Sequence, residues 1–563
     1  MNSSKENKSS LHSPDDGPPT LTGGEDVFIQ VSNLRKAVPQ FIATMAQSLL
    51  LLSIGMLVAS PTIVIGALHR SINGTHEVNI SSTKENVNGT QSSEHVETLF
   101  FTDAQAAWFG SILLLCQPVG SIASCFVQGY LGRRKSMILV NLPLILGWYL
   151  LYLGESVEML FTSAIISGLA IGFMEAPTLA YIGEVSEPRL RGTFTSILNT
   201  HVCIGHLLEF LIGCAVGQEN WRTAMLISII VPVLTILIIY QIPESPVWLL
   251  SKGRKQEALE SLCWLRGWVE EKAVEKEFQS FVKYNELSQR PVTRENDNNI
   301  YKQVPTKAYI NANGAEVIPA ESIHPPKKAC ILKLSDIFRP AFIRPLRLIL
   351  MYMFFTHMAS LNAIRPYMIE TFGFLGLPIE PLRVTVMTAS VQLAGGLSCI
   401  FLVHKLGKRF LSLVSMSCCS ICIISIGIYT LYKDDINQSW IPLVLFAVMF
   451  YSLNLAVSPI PWMLVSEMFP QRGRGAGGGI SAAFFYTGAF ITSFTYIDLR
   501  NLLHPHGVFL LYGIMASIGV VFVYFCLPET EGRTLAEIET YFVKHRFLTT
   551  KKYCSPVQSR TLP

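Results

Sequence analysis

The sequence predicts an all-α integral membrane protein, with twelve transmembrane helices in two six-helix bundles of pseudo-twofold symmetry. Three observations predict it. Charged residues make up 15% of the 563-residue chain, against roughly a quarter in soluble domains, and the mean hydropathy is +0.39. The apolar residues gather in twelve runs, each near the length of about 20 residues that a helix needs to cross a bilayer. A long polar segment divides the runs six and six, and the two sets end in matching motifs.

In chain order the predicted spans are 40–66, 104–130, 136–154, 159–182, 194–217 and 223–242, then 346–371, 384–405, 410–431, 441–466, 477–498 and 507–527. Residues 1–38 are polar, lack the basic-then-apolar order of a secretory signal, and read as a disordered cytosolic tail. The N-terminal bundle is assigned to 39–242 and includes a long polar loop at 67–103. A linker at 243–343 begins as amphipathic helix and turns Asn-rich. The C-terminal bundle takes 344–527, and a tail takes 528–563.

Alternate short loops carry Arg133-Arg134-Lys135, Arg189 with Arg191, Lys408-Arg409, and Arg472 with Arg474. The positive-inside rule places these loops and both termini in the cytosol. The 67–103 loop then lies outside, where it holds glycosylation acceptors at Asn73, Asn79 and Asn88; Asn437 starts a fourth acceptor in another outer loop. A multi-pass protein of the plasma membrane is expected. The twelve cysteines are scattered, mostly within apolar runs, and give neither a disulfide framework nor a zinc spacing. No cofactor, metal or nucleic-acid partner is implied. Beyond the bilayer, the expected partner is a small-molecule substrate carried by a monomeric unit. Neither a phosphate-binding Gly-rich loop nor a nucleophile constellation is present, so an enzyme is not expected.

The repeat is carried by three pairs of motifs. Gly132-Arg133-Arg134 answers to Gly407-Lys408-Arg409. Glu184 stands seven residues before Arg191, as Glu467 stands seven before Arg474. Pro243-Glu244-Ser245 answers to Pro528-Glu529-Thr530. Two six-helix repeats place a substrate site between them near the midplane. All these charges sit at cytosolic helix ends, so Arg133, Arg134, Glu184, Arg191, Glu244, Lys408, Arg409, Glu467, Arg474 and Glu529 are gate candidates. They would pair between neighbouring helix ends and between halves in one state and part in the other. Taken alone, Arg133, Arg134, Lys408 and Arg409 read as plain cytosolic anchors; the recurring Glu–Arg spacing favours the gate.

These motifs, together with Tyr181-Ile182-Gly183-Glu184, Pro246 and Trp248-Leu249, Pro459-Ile460-Pro461-Trp462, Glu467-Met468-Phe469-Pro470 and Pro528 through Leu535, resemble the sugar porter branch of the major facilitator superfamily. The resemblance spans nearly all of 40–545, and within the family it is greatest to insect facilitated trehalose transporters and animal facilitative glucose transporters. It implies alternating access by two rocking bundles and a polar site on helices 5, 7, 10 and 11. Carried over by position, the substrate-binding candidates are Asn199, Thr356, His357, Asn362, Trp462, Phe485 and Tyr486. The chain departs from the pattern where it matters. Thr356-His357 replaces a glutamine pair, Phe485-Tyr486 replaces an Asn-Trp pair, and His404 stands in place of a gate acid.

Several ionisable residues lie inside spans outside the family pattern: Glu175, His201, His206, Glu209, His357 and Arg365. Such groups usually face a cavity or a partner. Arg365, near the outer end of its span, reads as snorkelling outward, and Glu209 likewise nears an outer end. Glu175 has two readings, a neutral carboxyl bonded within its own bundle or a titrating group that couples transport to protons or binds a cationic substrate. The first span, 40–66, has no Asp or Glu, which, given the resemblance, favours facilitated diffusion. The expected function is therefore facilitative uniport of a sugar such as trehalose or glucose. The alternatives are a proton-coupled carrier of another small organic solute and a non-transporting sensor that keeps the fold.

Overall fold

The computed structural model describes residues 33–69, 99–187, 190–289, 340–360, 362–433, 438–469 and 474–531, with Ile538, Tyr541 and Phe542. Asn73, Asn79, Asn88 and Asn437 lie outside these residues, as do the side chains of Arg191 and Arg474. Six membrane-crossing helices form the first half: α1 (Asn33–Leu68), α2 (Asp103–Leu131), α3 (Arg133–Leu153), α4 (Val157–Val185), α5 (Arg191–Val216) and α6 (Gln218–Ile239). Three short helices follow, α7 (Pro246–Ser251), α8 (Lys255–Leu265) and α9 (Glu271–Gln289). The second half holds α10 (Pro340–Ser360), α11 (Met368–Leu375), α12 (Pro381–Leu406), α13 (Lys408–Leu431), α14 (Trp440–Met468), α15 (Arg474–Phe494) and α16 (Tyr496–Cys526).

Among the described residues, ten helices are long and apolar enough by themselves to cross a membrane. The other two crossings are the seventh and the eleventh. The seventh was expected as one helix over 346–371, but α10 ends at Ser360 and a tight 3-10 turn, Asn362–Tyr367, leads into α11. Pro366 supplies a reason, since proline removes a backbone donor and disfavours the α conformation in the residue before it. The tenth crossing, α14, widens into a π turn at Leu453–Val457 ahead of Pro459 and Pro461. Such irregular backbone survives inside a membrane protein only where protein or a cavity covers it.

Within the first half α1 packs on α5 and α2 on α4; within the second α13 packs on α16. The halves meet along α2 with α15 and α5 with α12. The short helices build a small core of their own, with Trp248, Leu249, Leu262 and Phe278 buried together. Arg266 fastens it to the first half, donating to the Val185 carbonyl at 3.3 Å and gripping Glu277 at 2.7 Å.

The repeated glycines have a steric reason. Gly132 (φ 96°, ψ 175°) joins α2 to α3, and Gly407 (φ 80°, ψ 157°) joins α12 to α13. That backbone region is essentially closed to residues with a Cβ. A carboxylate also fills the space: a Cβ on Gly132 would run into Glu244, and one on Gly407 into Glu529. Those carboxylates cap the next helix. Glu244 accepts from the backbone N–H of Arg133 at 2.9 Å and Arg134 at 3.0 Å, and Glu529 accepts from Lys408 at 3.1 Å and Arg409 at 3.0 Å. An anion there meets the positive end of the helix dipole. Gly407→Ala is expected to cost about 1–2 kcal/mol through strain and the displaced cap. Thermal unfolding of the purified chain measures it, and an unchanged midpoint would refute the account.

Candidate functional site

A cavity of about 210 Å³ lies between the halves. The first half contributes Ile54 and Val58 from α1, Gln117 from α2, Glu175 from α4, and Asn199, Cys203 and His206 from α5. The second contributes Thr356 from α10, Asn362 and Arg365 from the 3-10 turn, Asn454 from the π turn, Trp462 from α14, and Phe485 and Tyr486 from α15. The two departures from regular helix thus supply five wall residues: Asn362, Arg365 and Pro366 from one, Leu453 and Asn454 from the other. Most of the wall is apolar, with polar groups set into it at separate points, the usual form of a small-molecule site.

Of the seven substrate-binding candidates, six line this cavity. His357 stands one layer behind it. Its ring packs on Phe485 with centroids 4.4 Å apart, its Nδ1 lies 3.2 Å from Asn362 Nδ2, and it is 1% exposed. Trp462 meets Phe485 edge-on at 5.2 Å, so His357, Phe485 and Trp462 form a stepped aromatic wall.

The intramembrane charges take partners that sequence did not predict. Glu175 accepts a hydrogen bond from the Tyr486 hydroxyl; its partner belongs to the opposite half, not to its own bundle. Arg365 does not snorkel: it lines the cavity, and its Nη1 is 2.6 Å from His206 Nε2. Cys203 donates its thiol to Asn454 Oδ1 across the halves at 3.1 Å. Glu209 is fully buried away from the cavity and accepts from Ser228 at 2.8 Å. His201 bonds the Ile197 carbonyl at 2.9 Å within its own helix.

At the face carrying the repeated motifs, charges pair within each half. Arg133 holds Glu184 through two nitrogens, at 2.9 and 3.3 Å, and Ser245 also donates to Glu184. Lys408 reaches Glu467 at 2.9 Å and Glu531 at 2.6 Å. Between the halves His404 serves: its Nε2 lies 2.8 Å from Thr193 Oγ1 and its Nδ1 2.7 Å from Glu531. Burial pushes the Glu531 carboxyl up, but His404 and Lys408 outweigh it and hold it down at about 2.

The opposite face has a cluster that sequence reasoning missed. His69 Nε2 sits 2.9 Å from Asp103 in the first half, and Arg500 Nη1 sits 2.7 Å from Glu370 in the second. His69 Nδ1 joins the pairs, 3.6 Å from Glu370, an ion-pair distance rather than a hydrogen bond. Glu370 foremost, and Asp103 with it, raises the imidazole above its ordinary 6.5 against the opposing effect of burial. Around the cluster Thr62 donates to the Arg365 carbonyl at 2.8 Å, and Trp108 packs at a tilt against Phe494 with ring centroids 4.8 Å apart. This face is closed by contacts between the halves.

A twelve-span chain in two repeats, with a central cavity shared by both, is a carrier of the major facilitator fold. The family model described as "Sugar (and other) transporter" matches residues 53–307 and 321–542, and the chain belongs to that family. Among curated relatives, it is 28% identical to the facilitated trehalose transporter Tret1 of Polypedilum vanderplanki over 78% of this chain and 79% of that one. It is also 28% identical to Tret1 of Drosophila grimshawi, over 77% of this chain but 43% of that longer protein. Among solved structures it is similar to the proton:xylose symporter XylE bound to 6-bromo-6-deoxy-D-glucose, with a TM-score of 0.65 at 18% identity, covering 90% of this chain and 100% of that one. The inward-open xylose transporter XylE from E. coli gives 0.62 at 16% identity, covering 90% and 99%.

Proposed function

We propose that the protein moves a sugar such as trehalose or glucose down its gradient by alternating access, as a monomeric unit in the plasma membrane. The observation that carries this is the cavity shared by the two halves. It sets an aromatic face, Trp462, among separate hydrogen-bonding groups: Asn199, Thr356, Asn362 and Tyr486. An indole face suits the apolar side of a pyranose, and the amides and hydroxyls suit its rim. The family and the trehalose-transporting relatives support the same substrate class.

Positive charge on the motif face supports a cytosolic position for that face and both termini. The His69 cluster then forms the extracellular gate, and the Thr193–His404–Glu531 link is the cytosolic contact between halves. The salt bridges within each half keep the helix ends of that half moving as one body. α1 has no carboxylate along its length, which favours uniport.

The test is uptake of labelled trehalose and glucose in cells expressing the chain, with and without an imposed proton gradient. Saturable uptake independent of the gradient is expected. Trp462→Ala should raise KM about tenfold, equivalent to about 1.4 kcal/mol of lost binding. Absence of sugar uptake with the protein at the surface would refute the reading.

A further inference from the structure

The most unusual group on the cavity wall is Arg365. Among the described residues its polar side-chain partner is His206, and no carboxylate lies within ion-pair distance. To accept from Arg365 Nη1, His206 Nε2 must carry its lone pair, so the imidazole is neutral and leaves the guanidinium charge uncompensated. The single contact leaves most of the planar fork of N–H donors available, a shape that matches a carboxylate with two parallel hydrogen bonds. The turn that carries Arg365 is held from the other half, because Thr62 donates to its backbone carbonyl at 2.8 Å. Gln117 from the opposite half also lines the cavity; it is fully buried, and both its amide atoms lack a partner among the described residues. A buried amide with neither donor nor acceptor satisfied is costly unless a ligand completes it.

We propose that the cavity selects a sugar bearing one carboxylate, a uronic or aldonic acid, whose carboxylate pairs with Arg365 and whose hydroxyls meet Gln117, Asn199 and Asn362. A monoanion fits better than a phosphate ester. The wall offers one guanidinium, and its other acidic or basic side chains are Glu175 and the neutral His206, so a second negative charge would find no cation. The inference rests on the carrier reading above and deepens it by naming the charge of the substrate.

Glucuronate and glucose differ only in carboxylate against hydroxymethyl, which makes them the decisive pair. The purified full-length chain is reconstituted into proteoliposomes, and the ratio of kcat/KM for labelled glucuronate to that for labelled glucose is measured. Glucuronate should enter saturably, and Arg365→Gln should lower the acid-to-neutral ratio at least about tenfold, with Arg365→Lys lowering it less. In the unmodified protein glucuronate should compete more strongly than its uncharged methyl ester, a comparison that needs no variant to fold. Glucose entry without glucuronate entry or competition overturns the inference and leaves the sugar reading standing. A ratio unchanged in Arg365→Gln also overturns it. If neither sugar enters but glucuronate raises the thermal midpoint in an Arg365-dependent way, the inference stands and the transport reading falls. If glucuronate neither enters nor shifts the midpoint, the inference falls.

Discussion

Lys408→Met is expected to destabilise the protein by about 3–5 kcal/mol, the cost of removing one partner from a buried ion cluster. The Lys408 side chain is 3% exposed and neutralises Glu467 and Glu531, which are themselves 16% and 24% exposed. Methionine fills similar space but, among the described residues, leaves two carboxylates facing one another with His404 to offset them. Surface expression should fall steeply, and the thermal midpoint of the surviving protein should drop. Lys408→Met combined with Glu467→Gln should recover part of the loss, because neighbouring members of one network do not add independently. A single variant within about 1 kcal/mol of the parent would sink the account. The contribution of Glu531 should also ignore ordinary pH changes. The Glu531 carboxyl is held down at about 2, so its contribution is present above the free-carboxylate range and is lost only as pH falls toward that value.

The His69 cluster should behave in the opposite way. Glu370→Ala is expected to weaken closure of that face by about 2–3 kcal/mol, roughly 30–150-fold in the ratio of closed to open states. It removes the carboxylate that Arg500 pairs with and, among the described residues, leaves His69 with Asp103. Among the described residues, the groups facing His69 are Asp103 and Glu370, with Arg500 acting on it through Glu370. Their field raises its pKa in the closed state. The contribution to closure is therefore complete below about 6.5, the free imidazole value, and is lost as pH rises through the raised value. Pulsed EPR distances between spin labels at Phe100 and Leu502, measured from pH 5.5 to 8.5, should lengthen with rising pH. In Glu370→Ala they should be long throughout. A distance distribution indifferent to both pH and the substitution refutes the gate.

The twelve crossings were legible because bilayer thickness sets a length and an apolar run of that length has few other readings. The repeat was legible because residue identities recur in order. The roles of Glu244 and Glu529 were not. They look like partners for arginine, but they bind backbone N–H groups, which a sequence writes at every position and so marks at none. Arg365 was misplaced for a related reason. A basic residue near the end of an apolar run reads as snorkelling until the chain breaks at Asn362–Tyr367 and turns the side chain inward. His69, Asp103, Glu370 and Arg500 are separated by up to most of the chain and are ordinary loop-end charges one by one. Only the docking of two halves makes them a cluster.

Cys203 offers a chemical clock for the carrier cycle. Its sulfur is pinned to Asn454 of the opposite half and is 2% exposed, so a maleimide can reach it only after the halves have parted and the path has opened to the side where the reagent waits. Alkylation at this one peptide, read by mass spectrometry, then counts openings per unit time. A solute that occupies the cavity slows the count, and reagent supplied to one side of a vesicle at a time reports each gate separately.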